Sequence, residues 1–344
     1  MNKPRGEGEP GVPATARPSP LAAAVSAYLM GMADQRIDLV NPVRSQTAAA
    51  IDAGKLDEVA AAMETLLIQP VPDPGAVALA HMLVTTPVEI RLVLRLGEEK
   101  DEHRRDALIA ALAPLGASMA QTISDALADT DDRHARRSYV RTLVAMGQEG
   151  MTVVEEMLED NRWFVVRNGV MVLGEVGGDT AVSFLTSTLA HEDARVRRET
   201  VISLAKIGGE DSGMLALGML EDADADVRDG AVRAVGVLKV ERALRPLLEL
   251  LEHEEQDSVV EEVLRSLGQL GDPGAVPSIE KRAVGNFLRK PPTAVRVAAY
   301  TALGAIGTPH AMSLVEEALD DKEAEVRSVV GAVLAARKSV ATTE

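Results

Sequence analysis

The chain has 344 residues, a formal net charge of −17 at pH 7 and 46% hydrophobic residues, although only 2% of its residues are aromatic. Cysteine is absent, which excludes a disulfide framework, a thiolate zinc site and a cysteine nucleophile, and we expect a reducing, cytoplasmic location. The negative charge disfavours nonspecific binding to nucleic acid or to anionic membranes, because both reward clustered lysine and arginine.

The N-terminal part predicts a tail followed by a few helices. Residues 1–20 contain five prolines and three glycines with little apolar surface to bury, which predicts a disordered tail. The apolar stretch 21–33 is shorter than the roughly 20 residues of a membrane span, and we interpret it as a first helix rather than a signal-peptide core. Asn41 and Pro42 are predicted to separate it from a helix over 47–68, and another helix should follow the next proline-rich break.

From about residue 86 the sequence repeats itself with a period close to 31 residues, which is typical of stacked helical units. One position, called the anchor below, is arginine in six of eight units and valine in the other two: Arg105, Arg136, Val166, Arg197, Arg228, Val260, Arg296 and Arg327. The position eleven residues later is glycine in six units and lysine in two: Gly116, Gly147, Gly177, Gly208, Lys239, Gly271, Gly307 and Lys338. Glycine at this spacing predicts a helix C terminus with positive φ.

Two further positions define the units. Seven and eight residues after each anchor stand a large residue and then a small one or valine, as in Leu173-Gly174, which indicates close packing between helices. Four residues before the anchor, aspartate recurs and is predicted to cap the second helix of its unit: Asp101, Asp132, Asp193 and Asp224. Each unit therefore reads as helix A, acidic turn, helix B and glycine, and such units must stack to bury their apolar faces.

These units resemble a known family. Residues 193–199 (Asp-Ala-Arg-Val-Arg-Arg-Glu) and 203–208 (Ser-Leu-Ala-Lys-Ile-Gly) are similar to bacterial HEAT repeats of the phycobilisome-lyase-like type, and the pattern recurs at 225–228, 267–277 and 295–309. The resemblance implies an all-α fold, a right-handed α-solenoid of about eight HEAT-like helix pairs. It also implies that the anchor arginines are structural ladder residues that pair with acidic groups of neighbouring units.

The domain organisation follows from the same pattern. We expect a helical N-terminal segment or cap over 21–85, the repeat array over 86–338 and a tail over 339–344. The insertion 284–293 lengthens one unit to 36 residues and is interpreted either as a projecting contact loop or as a looser linker.

The resemblance also implies that helix B lines the concave side of the array. Positions one and five after the anchor should then point away from the core. Arginines at these positions form a predicted basic ridge: Arg137, Arg141, Arg167, Arg198, Arg233 and Arg265. The ridge is interpreted either as a groove for an acidic peptide segment or as a solvated face, because Glu175, Glu199, Asp229 and Glu261 are interspersed.

Trp163 is the only tryptophan of the chain, in the unit where valine replaces the anchor arginine. Because tryptophan and arginine are enriched at interface hot spots, Trp163 is the best single marker of a partner site, although a packing role between helices remains the alternative.

The most direct functional hypothesis is a protein-interaction scaffold that binds a partner protein or acidic peptide through the helix-B face. No nucleophile motif, phosphate loop or metal-ligand spacing is present, and the six histidines are scattered, so we expect neither catalysis, a metal nor a cofactor. Two alternatives stay open: a HEAT protein that cradles nucleic acid, and an accessory or bilin-lyase-like factor, which only the family label implies. The partner's identity and the oligomeric state do not follow from the sequence.

Overall fold

A computed structural model describes residues 17–71, 73–285 and 290–341, with side chains as far as Arg337. Regular structure in these residues is helical, with short 3-10 turns and no strand. The predicted N-terminal tail lies outside the described residues except for 17–20, and residues 286–289 of the predicted insertion 284–293 lie outside them as well.

The chain divides into two compact units, each described here by itself. The first comprises residues 1–126 and 131–142, and the second comprises 127–130 and 143–344. The predicted domain boundary at residues 85/86 stays a prediction.

The first unit begins with four helices that precede the repeats and continues with the first repeat pair: α1 (Pro20–Met30), α2 (Ala33–Asp52), α3 (Leu56–Leu67), α4 (Pro74–Leu83), α5 (Thr86–Glu98) and α6 (Glu102–Leu112). The next pair, α7 (Gly116–Asp129) and α8 (Arg133–Ala145), contributes residues to both units.

The predicted breaks between the first helices are wrong in position. Pro42 lies inside α2, which continues past it although proline cannot donate the usual backbone hydrogen bond. The chain instead breaks at Gly31, whose backbone lies so close to Leu39 that a Cβ atom would stand 2.8 Å from its Cδ1. A second break falls at Gly54, where φ is 69°, so the predicted helix over 47–68 is divided between α2 and α3.

The second unit continues the pairs with twelve helices: α9 (Gln148–Leu158), α10 (Trp163–Val176), α11 (Gly178–Thr188), α12 (Ala194–Ile207), α13 (Gly209–Leu217), α14 (Ala225–Val237), α15 (Leu244–His253), α16 (Asp257–Leu270), α17 (Val276–Val284), α18 (Thr293–Ile306), α19 (Pro309–Glu317) and α20 (Ala324–Ala341). From α5/α6 to α19/α20 there are eight helix pairs, and each anchor residue lies near the start of the second helix of its pair. The predicted number of pairs is confirmed.

The predicted helix caps are also present. Asp101, Asp132, Asp193 and Asp224 each accept a backbone hydrogen bond from the first turn of the helix that follows. Six helix-ending glycines have φ between 59° and 80°. Lys338 is the exception to the predicted pattern, because α20 continues through it to Ala341.

Lys239 occupies a glycine position with φ of 51° and is the one non-glycine residue with positive φ in the described chain. Lysine is disfavoured there because its Cβ crowds the backbone. We expect Lys239→Gly to raise the free energy of unfolding by about 1 kcal/mol in urea denaturation. Lys281→Gly, inside α17, is the matched control and should lower it by about 1 kcal/mol. A loss of stability in both variants would contradict this interpretation.

Second helices of successive pairs pack directly on one another through their small residues. A Cβ atom added to Gly174 would lie 2.6 Å from Ser203 Oγ, and one added to Gly304 would lie 2.4 Å from Val333 Cγ1. The residue preceding each glycine, such as Leu173, is fully buried. The large-then-small pattern therefore sets the contact between second helices, as predicted.

One stretch, residues 102–129, is long and apolar enough to cross a membrane by length and composition alone, as is the α4–α5 pair if its 117° bend is ignored. The first stretch is not one continuous helix, because a 3-10 turn and Gly116, with φ of 79°, separate α6 from α7. Its residues Leu112, Met119 and Ile123 are fully buried within the protein. We therefore interpret the first stretch as two repeat helices, and the bent α4–α5 pair as the last helix of the N-terminal segment followed by the first repeat helix.

Candidate protein-binding surface

Anchor arginines link the turn of their own helix pair to the acidic turn of the next pair, and such a link is called a rung below. Arg197 binds Asp222, which lies 25 residues ahead, through Nε to Oδ2 at 2.7 Å and Nη2 to Oδ1 at 2.8 Å. Its Nη1 also donates to the carbonyl oxygens of His191 and Glu192, at 2.9 and 3.1 Å. One guanidinium thus joins its own turn to the acidic turn of the next pair, and it lowers the pKa of Asp222.

Arg228 repeats this geometry, and Arg296 also binds a carboxylate of the next pair. Arg228 binds the Glu254 carboxylate at 2.7 and 3.0 Å, and its Nη1 reaches two carbonyl oxygens of its own turn. Arg296 binds Asp321 with both terminal nitrogens and lowers the pKa of that carboxyl to about 2. The predicted structural role of the anchor arginine is therefore confirmed for these pairs, and it leaves these arginines engaged within the protein.

The predicted basic ridge divides between the two units. In the first unit Arg137 is exposed on α8, whereas Arg141 is paired with Asp106 at 2.9 Å. Both residues point away from the core, as predicted.

In the second unit carboxylates neutralise part of the ridge. Arg233 and Arg265 both bind Glu262, which is only 4% exposed, and Arg233 also contacts Asp229 at 3.2 Å. Arg198 is exposed on α12. The ridge is therefore not a continuous row of unpaired arginines. In the second unit Arg198 is exposed to solvent and forms no ion pair with a described residue.

Trp163 lies at the start of α10, half-buried and in contact with arginines. The Arg195 guanidinium carbon lies 3.4 Å from the centre of the indole ring, and that of Arg167 lies 5.3 Å away. Phe164 meets the indole edge-on with ring centres 5.9 Å apart. Such cation–π contacts hold the indole at the surface in a defined orientation. Trp163, Phe164, Arg167 and Arg195 are called the indole cluster below.

The indole cluster replaces a rung. Val166 carries no charge, so the arginine rung of this unit is missing. Instead Trp163 of one turn stacks on Arg195 of the next. Arg195 is held in turn by Asp193, whose pKa it lowers to about 2 through their hydrogen bonds.

Sequence reasoning missed two members of this surface. Arg195 lies two residues before an anchor, at a position with no ridge signal, and only its stacking on Trp163 shows its importance. Glu262 stands three residues before Arg265, which is a local ion-pair spacing, but its pairing with Arg233 joins two different helices and is invisible to local spacing.

The described residues contain no group of three or more potential metal ligands. His134 Nε2 contacts Arg105 Nη1 at 2.8 Å and the Glu99 carbonyl oxygen at 3.1 Å. These contacts account for its position within the first unit.

Comparison with protein families matches HEAT repeats over residues 152–217 and 214–287, and a PBS lyase HEAT-like repeat over 295–321. Residues 152–287 and 295–321 thus carry HEAT repeats, as the sequence resemblance predicted. No curated protein matches the chain.

Solved structures of similar fold include the karyopherin Kap121p. Kap121p bound to Ste12p aligns with a TM-score of 0.55 and 13% identity over 91% of this chain. Kap121p bound to the extreme C terminus of the protein phosphatase Cdc14p aligns with a TM-score of 0.54 and 13% identity, also over 91%. The alignment spans 39% of Kap121p in both cases, so this chain corresponds to well under half of that protein.

The alignment with human deoxyhypusine hydroxylase in complex with glycerol covers 72% of this chain and 96% of the hydroxylase chain, with 21% identity and a TM-score of 0.32. Only the Kap121p likeness, with TM-scores above 0.5, informs the fold. It confirms the predicted class, an all-α solenoid of HEAT-like helix pairs.

Proposed function

We propose that this protein is a scaffold that binds a partner protein through the exposed side of its second helices, with the indole cluster as the main contact in the second unit. The observation that carries the proposal is the position of Trp163, half-buried at the surface between arginines instead of inside the core. Tryptophan and arginine contribute most to interface energy when they are oriented beforehand, because less side-chain entropy is lost on binding.

The chemistry of the surface favours an acidic peptide segment as the partner. Arg137 and Arg198 are exposed, and a guanidinium binds carboxylates through paired hydrogen bonds. Nucleic acid is a weaker candidate, because the chain carries a net charge of −17 and Glu262 neutralises two ridge arginines. A scaffold role accords with the HEAT repeats and with a cytoplasmic location, and it requires neither catalysis nor a cofactor.

The proposal is tested by identifying the partner that copurifies with the full chain from its native host and measuring its affinity for variants. We expect Trp163→Ala and the double variant Arg137→Glu/Arg198→Glu each to weaken binding at least about tenfold, as hot-spot losses do.

The control is Arg242→Glu/Arg245→Glu, which makes the same charge change at exposed positions before and on the first helix α15. Wild-type affinity in this control, with binding lost in the first two variants, supports the helix-B side. Equal affinity in all folded variants would overturn the proposal.

A further inference from the structure

A cavity lies between the first helices of two successive pairs in the second unit. α13 ends at Leu217 and gives way to tight turns over 218–221, whereas α15 of the next pair continues to His253, whose equivalent 32 residues earlier is Glu221. The last turn of α15 therefore faces turns instead of the end of another first helix. A cavity of about 830 Å³ lies at this place, within the range of pockets that hold ligands, and all of its lining residues are described.

The inner surface of this cavity is apolar. Leu220 is only 2% exposed, and Leu217, Pro246 and Leu250 are half-buried along the walls. Covering these side chains with a further apolar group removes apolar area from water, which is favourable. The cavity therefore favours an occupant that has an apolar part.

Five carboxylates, one guanidinium and one imidazole also line the cavity, and part of this charge is already paired. Arg228 is fully engaged, because its Nε and Nη2 donate to the Glu254 carboxylate and its Nη1 donates to two carbonyl oxygens of its own turn. The Asp222 carboxylate is bound by Arg197, which does not line the cavity. These two rungs therefore offer an incoming group neither an unpaired cation nor an unpaired anion.

Two carboxylates of the lining remain unpaired. Glu249 is bound by Arg245 at 2.9 Å. Glu221 and Glu255 are exposed, one on each of the two turns, and form no ion pair with any residue that the structure describes. His253 is exposed as well and adds a positive charge only when it is protonated. A group entering the cavity therefore meets two unpaired carboxylates, and no lysine or arginine of the lining is left unpaired to repel a cation.

We propose that this cavity binds a segment of a partner protein in which an arginine adjoins an apolar residue. The apolar side chain covers Leu217 and Leu250, while the guanidinium binds the carboxylates of Glu221 and Glu255. Arginine fits better than lysine because its planar fork reaches several acceptors at once. A segment with a carboxylate in place of the arginine is rejected, since it brings like charges together. The cavity lies on first helices and turns, so this proposal does not depend on the proposal for the helix-B side.

The test uses three short peptides with blocked ends. The first has one leucine and one arginine between glycines, the second replaces the arginine with uncharged citrulline, and the third replaces the leucine with glycine. Each is titrated into the full chain with labelled methyl groups at about pH 8, where an ordinary histidine is uncharged. We expect saturable shifts at the methyl groups of Leu217 and Leu250 with the first peptide. The other two should each bind at least about tenfold more weakly, because one lacks the charge and the other the apolar side chain.

Variants of the cavity give a second check. Gly218 lines it with an ordinary φ of −62°, and an added Cβ atom would come no closer than 3.4 Å to its neighbours. Gly218→Leu should therefore fold and weaken binding by filling part of the cavity. Glu221→Gln/Glu255→Gln should weaken binding of the first peptide at least about tenfold. Glu210→Gln/Asp211→Asn removes the same charge from the exposed first turn of α13 and should leave binding unchanged.

Three results would overturn the proposal. One is equal binding of the three peptides, or shifts that spread over the acidic surface without saturating. Another is wild-type affinity in Glu221→Gln/Glu255→Gln, and the last is the absence of binding by the first peptide.

Discussion

Replacing Arg296 with methionine should lower the free energy of unfolding by about 3–5 kcal/mol. Arg296 is only 3% exposed, and its side chain binds Asp321 and the Ala283 carbonyl. The substitution retains much of the side-chain volume but removes the paired hydrogen bonds to the Asp321 carboxylate, 9% exposed, and leaves it only the exposed Lys290 ammonium at 3.8 Å as a counter-charge. Urea denaturation of the full chain gives the loss, and hydrogen exchange should place it in α18, α19 and α20.

Arg327→Met is the matched control on the next second helix. Arg327 is exposed, and its Nη1 donates to the backbone carbonyls of Asp321 and Lys322, at 2.6 and 2.9 Å. Its loss removes hydrogen bonds without stranding a buried charge, so we expect a decrease of about 1 kcal/mol. Equal losses in the two variants would show that the buried ion pair contributes nothing beyond its hydrogen bonds.

The pH dependence gives a second readout for Arg296. The pKa of Asp321 is depressed to about 2 in the folded protein, below the roughly 3.9 of an unfolded chain. Its stabilising contribution is therefore fully present above pH ~4 and is lost as the pH falls through about 2. The stability difference between the wild type and Arg296→Met should narrow over that range.

The repeat pairs could be predicted from the sequence because their signals are local and recur eight times. Leu173-Gly174 and its equivalents mark the contact between helices, and glycines such as Gly208 mark helix ends at a fixed distance from the anchor. Even Lys239 follows the backbone of the glycines it replaces, with φ of 51°. Recurrence turns weak local preferences into a firm assignment.

The N-terminal segment has no such recurrence, and its prediction failed at single residues. Pro42 reads as a helix break, yet α2 contains it, because tertiary packing outweighs one lost backbone hydrogen bond. The actual break at Gly31 was hidden inside an apolar stretch, since it depends on the close approach of Leu39.

The sequence predicted which arginines of the candidate surface are exposed, but not which of them are paired with other side chains. The exposure of Arg137 and Arg198 follows from helix periodicity. The neutralisation of Arg233 by Glu262 depends on a residue 29 positions away, and the stacking of Arg195 on Trp163 on one 32 positions away. Such pairs are set by how successive units stack, which local spacing does not report.

Replacing Gly236 with valine should lower the free energy of unfolding by about 3 kcal/mol. A Cβ atom at this position would lie 2.5 Å from Ser266 Oγ and 2.6 Å from Gln269 Oε1, so α14 and α16 would have to separate. That separation would also strain the hydrogen bond from Ser266 Oγ to the Val232 carbonyl, now 2.9 Å long. Urea denaturation of the full chain measures the loss.

A double-mutant cycle shows whether the contact with Ser266 is the cause. Gly236→Ala should be less damaging when Ser266 is changed to glycine, because the two Ser266 atoms that the new methyl group meets are then absent and only the flexible end of the Gln269 side chain has to move. Gly331→Ala provides the control on α20, where an added Cβ atom meets nothing within 4 Å, and it should raise stability by about 0.5–1 kcal/mol through helix propensity. If Gly236→Ala stabilised the protein as Gly331→Ala is expected to do, small residues would not be what brings the second helices together, and the close contact would have to come from the large residues beside them.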